Sequence, residues 1–129
     1  MIISFGWTAP LLPPAGTKDT TRRIWAPRTL TIWQKAWDKG RLEHDAVDKC
    51  LAYGGKRIGR IVLKERPFLQ PLSEMVGAEL VREGMRSAAV PDVDTFVTKY
   101  FGGDRSQIVA VVRFEFYPTE TRTPSMTPT

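Results

Sequence analysis

The sequence predicts a small mixed α/β domain built around a curved sheet or barrel, and three observations carry that prediction. Apolar and β-branched residues run in short strand-like stretches at both ends of the chain, in "IISF" (residues 2–5) and most strongly in "QIVAVVRFEFY" (residues 107–117). Between them, three stretches repeat apolar residues at helical spacing or carry helix start and stop signals. At 129 residues the chain is long enough for one domain with a single hydrophobic core.

Residues 2–5 form the first strand. "TAPLLPPAG" then breaks it, because a proline ring removes an N–H and clashes with the preceding turn, so that any helix here is one turn at most. "TTRRIW" reads as extended, which puts Thr21 and Arg23 on one face and Arg22 on the other. Pro27 opens a helix in which Leu30, Trp33 and Trp37 share a face, and Gly40 stops it. Residues 42–49 are expected to be extended, "YGGK" to turn, and "RIGRIVLKERPFL" to form a strand ended by Pro67. Ser73 is an N-cap candidate for a helix running to Gly84. Asp92 caps another, with Val93, Phe96, Val97 and Tyr100 as its apolar stripe and Gly102 as its stop. On residues 107–117, Ile108, Ala110, Val112, Phe114 and Phe116 are expected on one face. The domain is therefore read as 1–117, and 118–129, rich in Thr and Pro without periodicity, as a disordered tail.

The chain carries 19 Lys and Arg against 14 Asp and Glu, unevenly divided. Residues 1–64 hold 12 basic and 5 acidic side chains, whereas residues 65–129 hold 7 and 9. A positive half concentrates phosphate-bearing partners, although Lys and Arg also serve simply to solvate helix faces. No apolar run approaches the roughly 20 residues that span a bilayer, so no membrane partner is expected. No export signal is visible and Cys50 is the only cysteine, which together make the cytoplasm the expected location.

The segment "AGTKDTTRRIWAP" (residues 15–27) is the most informative part of the chain. Beginning at Gly16 it has the spacing G-x-K-x-x-T-x-R, which sets Lys18, Thr21 and Arg23 just after the first strand. With Glu83-Gly84 downstream and the closing "VVRFEF", this pattern resembles the ASCH domain family of the PUA-like superfamily. "TRRIWAPR" and "VDKCLAYGGKRIGRIVL" resemble a bacterial and phage-type subgroup of it. The resemblance implies a PUA-like β-barrel with flanking helices, and binding of RNA or a nucleoside in a basic cleft beside the barrel. A more distant resemblance to N(4)-acetylcytidine amidohydrolase implies catalytic roles for Lys18, Thr21 and Glu83. The chain departs from that enzyme in having Pro13-Pro14 before the motif and an inserted Trp-bearing helix at 28–39, which bears on the substrate.

The chemistry is intelligible from residue types alone. A threonine hydroxyl needs a base to take its proton, and a lysine serves only when burial or nearby cations bring its pKa down. Arg22, Arg23 and Arg28 are the candidate neighbours, and the sequence does not choose among them for Lys18. Glu83 is suited to bind an exocyclic amine or to shuttle a proton to a leaving nitrogen. A charged Lys18 would instead stabilise an oxyanion, a role incompatible with acting as the base. Trp7 and Trp25 bracket the segment and are the candidates for stacking on a base, whereas Trp33 and Trp37 are expected in the core.

Each of these residues also has an ordinary use: Lys18 and Arg23 as surface charges, Thr21 as a strand residue, Glu83 as a solvated helix end. Three readings of function follow: an amidohydrolase acting on an acylated cytidine-type nucleoside, a non-catalytic RNA-binding module, and a metal-independent ribonuclease. No cofactor is implied. His44 and Cys50 are single residues without metal-ligand spacing, so no metal site is expected, and neither has a third group with which to build a hydrolase. The glycine pairs in "YGGK" and "YFGGDR" suit turns and helix stops.

Overall fold

The computed structural model describes residues 1–119. Six strands form one curled sheet, a half-barrel with a few helices around it, so the fold is mixed α/β as expected. The strands are β1 (Ile2–Ser4), β2 (Thr20–Arg23), β3 (Glu43–Val47), β4 (Arg57–Leu63), β5 (Phe68–Pro71) and β6 (Ile108–Pro118). Their order is β1-β3-β4-β6-β2, and β5 also pairs with β6. All pairings are antiparallel except β1 with β3. Because β2 and β5 both pair with Ala110 and Val111, they lie on opposite edges of β6. The long last strand is thus the spine: its first half carries β5 and β2, and its second half carries β4.

Three helices complete the fold: α1 (Pro27–Asp38), α2 (Ala78–Arg82) and α3 (Val93–Phe101). Pro27 at the start of α1 and Gly40 at φ 77° beyond its end bound it as the sequence predicts. Asp92 caps α3 by accepting from Thr95 N at 2.8 Å, and Gly102 closes it in the left-handed region. The helix expected from Ser73 is largely absent. Leu72 N and Ser73 N donate to Gln107 O and Arg105 O at 2.8 Å, which ties this segment to the chain entering β6. Only a 3-10 turn (Leu72–Glu74) and the five-residue α2 form, with Gly77, a poor helix former, at the start of α2. A 3-10 helix (Gly6–Leu11) follows β1, longer than the single turn expected.

Packing divides into two clusters where the length suggests one. Ile3, Phe5, Trp33, Ile61, Val112 and Phe114 form the first, with α1 laid over it. Leu72, Leu80, Val93, Phe96, Val97 and Val109 form the second, under α2 and α3. β6 is consequently buried on both sides: Val109, Ala110, Val111 and Val112 are each at most 1 % exposed, while Ile108, expected on one face with Ala110 and Val112, is 60 % exposed at the strand's start. Pro118 still belongs to β6, and Thr119 N donates to Ile58 O at 2.9 Å, so the last strand runs slightly beyond 117. Residues 120–129 of the expected tail lie outside the described residues. Among the described residues no helix is long and apolar enough to cross a membrane.

Candidate functional site

The segment that holds Lys18 is placed by backbone hydrogen bonds before its side chain makes any contact. Lys18 N donates to Leu11 O at 2.9 Å, at the end of the 3-10 helix, and Asp19 N to Arg82 O at 2.7 Å, at the end of α2. Thr17 Oγ1 adds a bond to Val81 O at 2.6 Å. Two glycines make this approach possible. A Cβ on Gly16 would collide with the Leu11 carbonyl. One on Gly84, which has φ 76°, would fall 2.9 Å from Leu11 Cβ and 3.0 Å from Lys18 Cβ. Gly84 therefore turns the chain sharply after Glu83 and leaves the Glu83 side chain beside Lys18.

The Lys18 ammonium, 2 % exposed, donates to Thr20 O at 3.1 Å, Glu83 O at 3.2 Å and Glu83 Oε1 at 3.2 Å. These three acceptors use all three of its protons. Glu83 Oε2 accepts from Arg22 at 2.9 Å, so one buried carboxylate is shared by two buried cations. Arg22 continues the network to Gln70 Oε1 at 3.0 Å and Glu79 Oε1 at 2.8 Å, and Arg113 reaches the same Glu79 oxygen at 2.9 Å. Arg22 Nε is buried without a partner.

On β2, Arg23 Nε donates to Thr21 Oγ1 at 3.1 Å, while Arg22 turns to the carboxylates and still borders the same cleft. The Arg23 guanidinium carbon lies 5.5 Å from the centre of the Phe5 ring. Burial pushes the Lys18 ammonium below its ordinary pKa; Glu83 opposes the shift, and the charges of Arg23 and Arg22 add to it. Burial also pulls the Arg23 guanidinium down, against the attraction of Glu83.

These groups line a cleft of about 380 Å³, within the range of small-ligand sites, roughly 300–1,000 Å³. Lys18, Thr21, Arg22, Arg23 and Glu83 form its polar wall, and Phe5, Phe96 and Tyr100 are among its apolar lining. Trp7, 63 % exposed, stacks on Tyr100 with ring centres 5.4 Å apart, giving the cleft an aromatic rim. Of the residues singled out from sequence, Lys18, Thr21, Glu83, Arg22, Arg23 and Trp7 thus share one cleft. Trp25 does not line it and stacks instead on Trp33, 5.5 Å away. Arg28 is exposed near the start of α1 and outside the lining. Thr21 Oγ1 has no hydrogen bond to Lys18 or Glu83 among the described residues; its bond is to Arg23.

Residues that sequence reasoning missed are Glu79, Gln70 and Arg113, which hold the polar network, and the contribution of α3 to the cleft. Tyr100 looks like one more residue of an apolar stripe, and nothing in the spacing marks it as rim rather than core. A separate depression of about 290 Å³ is lined by Lys35, Lys39, Arg41 and His44 near the end of α1. Among the described residues no three His, Cys, Asp or Glu side chains are grouped as a metal site would need.

Comparisons with protein-family models, with curated proteins and with solved structures find no match to this chain.

Proposed function

We propose that this chain is an ASCH-type domain of the PUA-like superfamily and that its cleft binds RNA or a nucleoside. The observation that carries the reading is the convergence of Lys18, Thr21, Arg23 and Glu83 on one wall of a cleft rimmed by Trp7 and Tyr100. A nucleobase needs a flat apolar surface and a few fixed hydrogen-bonding groups, and this cleft combines both. Arg23 and Thr21 are the polar groups with capacity to spare: the Thr21 hydroxyl proton and the terminal nitrogens of Arg23 have no partner among the described residues. The buried Lys18–Glu83–Arg22 network fixes the wall behind them. Binding of ribonucleosides and a short single-stranded RNA, followed by quenching of tryptophan fluorescence, tests the proposal. Trp7→Phe should remove most of the signal change, and absence of any binding by the wild type would end this reading.

A second reading, hydrolysis of an N-acylated cytidine, is favoured by the burial of Lys18 in the same cleft as Thr21, which pushes its ammonium below the ordinary lysine pKa. A neutral Lys18 is a competent base for Thr21: it would take the hydroxyl proton as the Thr21 oxygen attacks the acyl carbon, pass that proton to the leaving cytosine amine as the C–N bond breaks, and water would then cleave the Thr21 ester to release the acid. The hydrogen bonds favour binding over this chemistry, because the Lys18 donors are all engaged elsewhere and Thr21 is held by Arg23. Release of cytidine from acetylcytidine, abolished in Thr21→Val, would establish hydrolysis. No turnover with nucleoside binding retained leaves the non-catalytic module.

A further inference from the structure

Four cations gather around the cleft and its supporting network: Lys18, Arg22, Arg23 and Arg113. Three of them have a carboxylate within 3.2 Å. Lys18 has Glu83, Arg22 has Glu83 and Glu79, and Arg113 has Glu79. Arg23 has none among the described residues. Four positive charges therefore face two negative ones, since Arg82, 4.0 Å from Glu79, is balanced by its own pair with Asp19 at 3.0 Å. Glu65, half-exposed and 3.8 Å from Arg113, offsets at most one of the excess and does so on Arg113, not on Arg23.

A charge away from bulk water is unfavourable unless it is paired or hydrogen-bonded, and Arg23 feels only the more distant attraction of Glu83, a carboxylate already paired with Lys18 and Arg22. The Arg23 Nε is occupied by Thr21, and its guanidinium carbon lies over the Phe5 ring. Its two terminal nitrogens have no hydrogen-bond partner among the described residues, yet they are not sealed off, unlike Arg22 Nε. The group is thus half-buried, oriented by two contacts, and left with two parallel donors at the cleft. That fork matches two oxygens of a phosphate or carboxylate.

We infer that the ligand of this cleft carries an anionic phosphate and that Arg23 is the residue that binds it. The choice of phosphate over carboxylate rests on the nucleoside reading above, since phosphate is the anion that accompanies a nucleoside. A nucleoside monophosphate and the phosphodiester of an RNA chain present the same chemistry to Arg23.

Calorimetric titration of the full chain with the four ribonucleosides, their 5′- and 3′-monophosphates, a short oligoribonucleotide and inorganic phosphate tests this. At least one monophosphate should bind roughly 10- to 100-fold more tightly than its nucleoside, the worth of a charge-assisted hydrogen-bond pair. Arg23→Gln should erase that difference and Arg23→Lys should retain much of it, with thermal melting showing both variants folded. Arg28→Gln, altered outside the cleft, should bind as the wild type does. Binding of the oligoribonucleotide alone, steeply weakened by salt and lost in Arg23→Gln, would support the inference with RNA as the source of the phosphate. Inorganic phosphate binding lost in Arg23→Gln, with no nucleoside-containing ligand bound, would support the anion site and remove the nucleoside reading. Nucleosides binding as tightly as their monophosphates, or a phosphate preference that survives Arg23→Gln, would overturn the inference and leave the nucleoside reading standing. No binding of any ligand would overturn both.

Discussion

Replacing Glu83 by Gln should destabilise the protein heavily at neutral pH and much less in alkali. Glu83 accepts from Lys18 at 3.2 Å and Arg22 at 2.9 Å, and all three side chains are at most 3 % exposed. The amide keeps the size of the carboxylate but removes the charge that both cations face. Arg22 retains Glu79 at 2.8 Å, whereas Lys18 has no other carboxylate among the described residues. The loss is therefore that of one broken buried pair, about 3–5 kcal/mol, against a total stability of roughly 5–15 kcal/mol.

The pH dependence follows from the proton on Lys18. Glu83 raises the Lys18 pKa against the lowering by burial, so its removal drives the folded-state value further below 10.5. The unfolded lysine keeps its proton up to its ordinary pKa, so unfolding takes up a proton and stability rises with pH, by at most about 1.4 kcal/mol per pH unit. Wild type shows this rise only above its own Lys18 pKa, which is higher than the variant's. Between the two values the variant gains and the wild type does not, so the gap between them closes. Urea unfolding followed by tryptophan fluorescence at several pH values from 6.5 to 9.5 measures it. A loss below about 1 kcal/mol at pH 6.5, or a gap that widens as the pH rises, would refute the reasoning.

Gly84→Ala should cost roughly 1–3 kcal/mol in the same unfolding assay, since it places a Cβ in the left-handed region and within 3.0 Å of Lys18 Cβ. Asp92→Ala removes the α3 cap and should cost about 1 kcal/mol, while Asp92→Asn should cost little. Trp7→Ala should leave the melting temperature nearly unchanged, because the side chain is 63 % exposed, yet weaken nucleoside binding by about 1–3 kcal/mol. Trp33→Ala, by contrast, should destabilise by about 3–5 kcal/mol through the cavity it leaves under α1.

The polar wall of the cleft was legible in sequence because β2 alternates: two residues apart in an extended chain means the same face, and Thr21 with Arg23 obey it. Glu83 was reached through the Glu-Gly pair and the resemblance that it supports, and the positive φ of Gly84 gives that pair a physical reason. The fate of Arg22 was not legible. Alternation places it on the opposite face, but only β5 and α2 bring it Gln70 and Glu79 to pair with. β5 itself carries little strand signal, because its four residues follow Pro67 and end on Pro71, and its pairing to β6 is a long-range fact. The helix predicted from Ser73 failed for a similar reason. Tertiary hydrogen bonds to the chain entering β6 fix Leu72 and Ser73, and local cap propensity does not outweigh them. Trp25 lies close to the site in sequence, and its stacking on Trp33 decides its place instead.

The central claim is that the cleft beside β2 takes the ligand, and amide chemical-shift mapping during titration with ribonucleosides and a short RNA tests it most directly. The account predicts saturable shifts confined to Phe5–Thr8, Thr21–Arg23, Glu83–Met85 and the end of α3 around Tyr100. Shifts centred on Lys35, Lys39 and Arg41, with the cleft residues unmoved, would contradict it.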